Sequence, residues 1–406
     1  MDFGLSEEHQ MVQRMVRDFA AKEVLPTIQE QDRIGGMAPF IIPRMAELGI
    51  LGITIPVKYG GQGMDYISLG LVSEELEFVD TSLRVVISVH SGLTCLTLLQ
   101  WGTEDQKEKY LVPLARGENI GCGAFTEPSA GSDFAHIQST GKKDGQDYIL
   151  NGEKMWVSLA TVADFAIVTV RTDQKIDQAN RGLSTFLVDL ESPGITRGDI
   201  HGKLGVRAGS TGWINFQDVR VPAKNLLGKE SEGFKVTMSA FDSGRYTVAA
   251  GATGLIRAAL EASKSYAEER NAFGGKISDF QLIQAKIARM ALDYQAARLL
   301  YLNAGWLKNQ GTRNTRETSA AKWYATEASF RAASEAVQIH GAYGFSDEYP
   351  VERFMRNAKG AMIYEGSNEI QSLIQADYAL DKRRDKKIRR ELTPYDHQTW
   401  TFDPGK

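Results

Sequence analysis

Three short stretches of this chain hold residue types and spacings that could do chemistry. The first is Ile363-Tyr-Glu-Gly-Ser-Asn-Glu-Ile-Gln371, where Glu365 sits between a large aromatic and a glycine, directly before a helical pattern. In an apolar site its carboxyl would become a better base, and Gly366 would let a ligand approach the backbone. The plain alternative is an acid in the first turn of a helix, favoured by the dipole. The second is Gly123-Ala-Phe-Thr-Glu-Pro-Ser-Ala-Gly-Ser-Asp133, whose proline and small residues force an irregular backbone. Free N–H groups and two hydroxyls there could grip a planar polar ring or a phosphate; otherwise it is an ordinary turn. The third, Lys154-Met-Trp-Val-Ser158, puts a hydroxyl two residues after an aromatic and by itself reads as core.

The elements that must position these stretches fall into three regions and a tail. Residues 1–120 read as a helical domain, with helical periodicity in Glu74 to Val79, Leu83 to Trp101 and Glu104 to Arg116, and a glycine-rich loop at Gly60, Gly61 and Gly63. Residues 121–232 read as a middle β domain: short β-rich runs (Asp147 to Leu150, Phe165 to Arg171, Ser184 to Leu190, Gly212 to Val221) alternate with turn residues. That texture predicts a small antiparallel sheet or barrel rather than a doubly wound parallel sheet. Residues 233–380 return to long striped helices, Ala249 to Glu269, Phe280 to Leu307 and Glu317 to His340, which predict a four-helix bundle with Gly341 as the glycine ending the third. Residues 381–406 form a basic, then aromatic, extension. The fold class is therefore α+β.

Bulk properties exclude several classes. The 406 residues are 42% hydrophobic and 24% charged, enough for a large core, and the formal net charge of -4 gives no reason to expect nucleic acid. Cys95 and Cys122 lack metal-ligand spacing and cannot build a disulfide framework, which fits a reducing compartment. The start carries acidic residues where a targeting peptide would be basic, and its apolar residues (Met11, Val12, Met15, Val16, Phe19) mark an amphipathic helix. Apolar runs such as Ala166 to Val170 are far shorter than a membrane span, so the expectation is a cytoplasmic protein with no membrane partner. No metal site is expected. No Rossmann fingerprint, P-loop, HExxH or GxSxG is present, so a bound dinucleotide would need another arrangement.

Taken together and in order, the stretches resemble the acyl-CoA dehydrogenase family over essentially the whole chain. The matching elements are Phe125-Thr-Glu-Pro-x-Ala-Gly-Ser-Asp133, Met155-Trp-Val-Ser158, Leu204-Gly-Val-Arg207, Val221-Pro222 with Asn225 to Gly228, Phe241-Asp-x-x-Arg245, Glu269-Arg-x-x-Phe-Gly274, Gln338-Ile-His-Gly341 and Glu348-Tyr-Pro-Val-Glu-Arg353 with Tyr364-Glu-Gly-Ser367. The resemblance implies FAD held without a Rossmann domain. Phe125 and Thr126 would meet the flavin ring, Ser132 the pyrophosphate and substrate, and Trp156 and Ser158 the ring's other face and edge. Arg270, Phe273, Gln281 and the loop Gln338, Gly341, Ala342 would hold the adenosine end, from a neighbouring subunit of a homotetramer; Ser367 is a further cofactor contact. Asp242 and Arg245 would hold the thioester arm of coenzyme A, Glu365 would take the α-proton, and its backbone N–H would bind the enolate oxygen. An electron-transferring flavoprotein would accept the electrons. The chain departs from the usual pattern at Gly209, Ala342, Asn357 and Ser367, which touches the adenine side more than the catalytic stretch.

The acyl group is read from Asp80-Thr-Ser-Leu-Arg84-Val-Val-Ile-Ser88. The equivalent helix forms the acyl end of the pocket in the family, where a guanidinium is costly unless it meets a carboxylate. The segment resembles glutaryl-CoA dehydrogenases, where an Arg and a Ser four residues later hold the distal carboxylate; Glu77 and Tyr364 also have counterparts there, and Gly366 adjoins the bound thioester. Benzylsuccinyl-CoA dehydrogenase, another enzyme of dicarboxylyl thioesters, is similar as well. The alternative is a surface Arg84 pairing with Asp80 at i, i+4, in a dehydrogenase of short or medium monocarboxylyl chains. A flavoprotein of the alkylation-response type that binds DNA has only the basic run Lys382 to Arg390 in its favour, and an acyl-CoA oxidase differs by oxygen access.

Overall fold

The computed structural model describes residues 4–173 and 179–400. The chain runs helices, sheet, helices. The first helix, α1 (Glu7–Phe19), is capped by Ser6 and buries Val12, Val16 and Phe19, whereas Met11 is exposed rather than on the core stripe. After two short helices, Ile28–Ile34 and Ile41–Glu47, come α2 (Tyr66–Val79) and α3 (Thr81–Trp101), broken apart at Asp80, whose extended backbone ends one helix and whose carboxylate accepts from Ser82 N to start the other. By length and composition α3 could cross a membrane, contrary to the expectation from shorter runs, but all of its apolar window is buried inside the protein. It is a core helix. It widens to a π-helical turn over Ser88–Cys95, the kind of irregularity that gathers at functional sites.

The described residues of the middle region form eight strands: β1 (Gly121–Ala124), β2 (Thr140–Asp144), β3 (Asp147–Ser158), β4 (Phe165–Arg171), β5 (Leu183–Asp189), β6 (Ile195–Asp199), β7 (Thr211–Pro222) and β8 (Leu226–Leu227). The order is β6-β7-β3-β2-β4-β5-β8, with β1 beside β4. The sheet departs from a purely antiparallel one, because β1 and β2 both pair parallel with β4. Long β3 slips register between Met155 and Val157, and the bulged Trp156 takes φ 60°.

The second helical region has α4 (Gly233–Glu269), α5 (Gln281–Asn309), α6 (Thr315–His340), α7 (Val351–Ala361) and α8 (Asn368–Ala379). At 37 residues α4 begins well before the predicted Ala249 and spans the length of the bundle. Gly341 ends α6 at φ 60°. The extension does not hang free. Tyr66 Oη donates to the Thr393 carbonyl at 2.6 Å, Tyr395 N to the Asn309 carbonyl at 3.0 Å, and Trp400 is buried edge-on to Tyr66. Two members of the basic run are also committed: Arg389 pairs with Glu232 at 2.5 Å, and Arg390 donates to the carbonyls of Trp101 and Gly102 at the end of α3.

Candidate active site

Glu365 lies in the turn between α7 and α8, at φ 57°, followed by Gly366 at φ 86°. A non-glycine residue in the left-handed region costs on the order of 1 kcal/mol, so other contacts must hold it. Three do. Arg245 Nε donates to the Glu365 carbonyl at 3.2 Å, while Lys322 Nζ and Gln371 Nε2 each donate to the Gly366 carbonyl at 2.9 Å. The side chain turns toward α4, where Gly244 leaves the space: a Cβ there would lie 2.1 Å from Glu365 Oε2. That oxygen is buried without a hydrogen-bond partner. Desolvation pushes the Glu365 carboxyl up to about 7, against the pull of Arg84, Arg245 and Lys322. An unpartnered carboxylate that titrates near neutrality is what proton abstraction requires.

Beyond Glu365 stands the cluster around Arg84, which is fully buried rather than on the surface. Its Nε meets Glu77 Oε2 at 2.6 Å, Nη1 meets Ser88 Oγ at 3.1 Å and Nη2 meets Tyr364 Oη at 2.5 Å. The pairing with Asp80 does not form; Asp80 instead joins Arg353 and Asn357. Glu77 keeps Arg84 charged in spite of its burial, and room for the pair comes from Gly251, where a Cβ would lie 2.1 Å from Glu77 Oε2. Of five guanidinium N–H groups these bonds use three, leaving one on each Nη without an acceptor among the described residues. On the other side of Glu365, Asp242 accepts from Arg245 at 3.1 Å and from Thr315 at 2.7 Å.

The residues expected at the flavin ring, Phe125, Thr126, Trp156 and Ser158, come from the sheet and the loop after β1. Phe125 packs edge-on against Phe241 of α4 at 5.4 Å, and the Thr126 carbonyl accepts from Met155 N, the residue before Trp156. Trp156 is 56% exposed, against its reading as core, because the bulge turns its indole outward. An uncovered indole offers its face to a planar ring such as isoalloxazine. Ser132 is exposed on the loop after β1. Arg270, Phe273, Gln281, Gln338, Gly341 and Ala342 do not join these residues. They are exposed at the far end of the bundle, where Tyr266 stacks on His340 at 4.2 Å. Asn357 is spent on Asp80 and the Val206 N–H. Ser367 precedes α8 beside Gly366.

Sequence reasoning missed Lys322 and the glycines Gly244 and Gly251. Lys322 had a signal: it falls on the stripe of Thr318, Ala325, Thr326 and Ser329, small residues at helical spacing that mark a buried face. The glycines had none, since their reason is the close approach of carboxylates from distant segments.

The acyl-CoA dehydrogenase N-terminal, middle and C-terminal domain families match residues 6–118, 122–219 and 231–380. The mitochondrial short-chain specific acyl-CoA dehydrogenase of Mus musculus is 38% identical over 94% of this chain and 92% of its own. The structure of butyryl-CoA dehydrogenase from Megasphaera elsdenii superposes with TM-score 0.91 at 39% identity, covering 94% of this chain and all of that one. A glutaryl-coenzyme A dehydrogenase in complex with glutaryl-CoA superposes with TM-score 0.91 at 37% identity, covering 98% of this chain and all of that one.

Proposed function

This chain belongs to the acyl-CoA dehydrogenase family, and from that premise we propose that its substrate is a short acyl-CoA whose acyl end carries a second carboxylate, with Glu365 as the base. The activity is that of an acyl-CoA dehydrogenase, an oxidoreductase with FAD as its cofactor. FAD supplies the hydride acceptor for the β-hydrogen. Phe125, Thr126, Trp156 and Ser158 would hold its ring, and Ser132 its pyrophosphate.

In this reading the protein's own residues bind the thioester and move the proton. Asp242 and Arg245 hold the thioester arm at the mouth of the cleft. The Glu365 backbone N–H, which has no acceptor among the described residues, donates to the thioester oxygen as negative charge gathers there. The Glu365 carboxylate takes the α-proton. Gly366 lets the thioester lie against the backbone. Because the carboxyl is pushed up to about 7 and acts only when deprotonated, kcat/KM should fall about tenfold per pH unit below that value and level off above it. Glu365→Gln should keep FAD bound and slow flavin bleaching by substrate by at least about 100-fold. Bleaching at the normal rate in that variant would remove Glu365 as the base.

The observation that carries the substrate reading is Arg84: a buried guanidinium with two unspent N–H groups, next to the hydroxyls of Ser88 and Tyr364. Two such N–H groups match the two oxygens of a carboxylate. A second reading, a short-chain monocarboxylyl substrate, is favoured by the names of the similar proteins and by Glu77, which balances Arg84 without any ligand. Bleaching by glutaryl-CoA, benzylsuccinyl-CoA and butyryl-CoA side by side decides between them. Fastest reduction by butyryl-CoA would select the second.

We also propose a homotetramer that passes electrons to an electron-transferring flavoprotein. Arg270 lies 25 residues beyond Arg245 along and just past α4, about 37 Å, so the adenosine-end residues of one chain serve a cofactor whose ring sits in another. The stripe of exposed Leu282, Leu292, Leu299 and Trp306 on α5 suits burial against a second copy.

A further inference from the structure

Lys322 is fully buried in the face of α6 that looks toward the Glu365 turn. A buried ammonium is costly without a carboxylate or a full set of acceptors. Its Nζ has two neutral ones, the Gly366 carbonyl at 2.9 Å and Asn368 Oδ1 at 3.0 Å. It forms no ion pair among the described residues. The two other cations that act on Glu365 differ in this respect. Arg84 is answered by Glu77 at 2.6 Å, and Arg245 by Asp242 at 3.1 Å. Of the three positive charges drawn toward the Glu365 carboxylate, only that of Lys322 is left uncancelled by a close acid.

We propose that Lys322 is a positioning residue that clamps the strained turn through the Gly366 carbonyl and supplies the net positive charge that keeps Glu365 a carboxylate before each turnover. The proposal rests on the reading of Glu365 as the base. The two groups answer each other's burial: desolvation, with Arg245 adding to it, brings the ammonium down to about 7, while Glu365 acts in the opposite sense. The groups that face the pair from the packed elements are Arg245 and Asp242 on α4, Arg84 on α3, Glu77 on α2, Glu369 on α8, and Tyr364 in the turn itself. Glu369 is exposed, so solvent weakens its hold on Lys322.

Two variants test this from opposite sides. Lys322→Met removes the charge and keeps the length of the side chain. Asn368→Asp keeps Lys322 and sets a carboxylate at the 3.0 Å contact, cancelling the charge with almost no change of shape. In both, the acid limb of kcat/KM against pH should move up by about half to one pH unit. kcat/KM at pH 7 should fall about 2- to 5-fold, with FAD content per subunit retained and KM at high pH within about twofold of the parent. A clamp with no electrostatic part would lower activity at every pH and leave the limb in place. If Lys322→Met does not fold, Asn368→Asp alone decides. With Glu365→Gln inactive, an unmoved limb in Asn368→Asp overturns the role of Lys322 and leaves Glu365 as the base. Normal bleaching in Glu365→Gln overturns both.

Discussion

Two buried ion pairs stand on either side of the cleft, and they are built differently. In the sheet region Lys154 meets Glu127 at 2.7 Å, and both carboxylate oxygens are also tied to backbone: Glu127 accepts from Gln138 N and Ser139 N, and Lys154 donates to the Phe125 carbonyl. That pair is a closed network tying the loop after β1 to β3, and it thereby fixes Phe125, Thr126 and Trp156 relative to one another. At the acyl end, the pair of Arg84 with Glu77 is left open. Its guanidinium keeps two N–H groups without acceptors among the described residues, and its neighbour Ser88 shares its hydroxyl with Thr247 at 2.6 Å. A pair whose acid is bound to two backbone N–H groups works as a clasp, whereas one whose guanidinium keeps an N–H free on each Nη suits the proposed ligand, since unpaired buried donors are costly unless something binds them.

The largest expected effect comes from opening the clasp. Glu127→Gln leaves the Lys154 ammonium buried without its counter-charge, which costs about 3–5 kcal/mol. We expect the denaturation midpoint to fall and FAD to be lost on gel filtration, with the same result for every acyl-CoA offered. An FAD-replete variant of unchanged midpoint would show that the sheet-side pair is not the tie described. Next comes the open pair. Arg84→Met alone would strand Glu77, so the informative variant is Arg84→Met with Glu77→Gln, which removes both charges and should be close to neutral for folding. Its KM for a dicarboxylyl-CoA should rise about 10- to 100-fold, the worth of charge-assisted hydrogen bonds, and that for butyryl-CoA should stay within about twofold. Equal change for both substrates would make the two pairs alike, both structural.

The sequence carried the broad architecture because helical stripes, β-rich runs and turn residues each reflect local physics. It missed where parallel pairing enters the sheet: β1 and β2 are short, and their partner β4 is reached through register that no local pattern encodes. It underestimated α4, because the early part of that helix, Gly233 to Val248, is rich in glycine, serine and β-branched residues and is helical through packing rather than propensity. In the site, Glu365 stood out from its neighbours in the chain. Its support did not, because Lys322, Gly244 and Gly251 matter only through contacts with segments tens of residues away. Arg84 stands out in an apolar helix, and of its two readings it is the alternative, surface pairing with Asp80 at i, i+4, that fails, because Asp80 is taken up by the joint with α7.

The smallest effect probes how far the open pair depends on its hydroxyl. Tyr364 Oη accepts from Arg84 Nη2 at 2.5 Å, and the guanidinium lies 5.3 Å from the centre of the same ring. Burial raises the Tyr364 hydroxyl above its usual range even with Arg84 opposing, so it is a neutral acceptor that orients the fork without neutralising it. Tyr364→Phe keeps the ring and frees one more guanidinium N–H. Losing one such bond is worth about 0.5–1.5 kcal/mol, so KM for a dicarboxylyl-CoA should rise about 3- to 10-fold as the fork loses its orientation. Butyryl-CoA should be indifferent and flavin content unchanged. A tighter KM in Tyr364→Phe would mean instead that the hydroxyl competes with the ligand for Arg84, and that the fork is held by Glu77 and Ser88 alone.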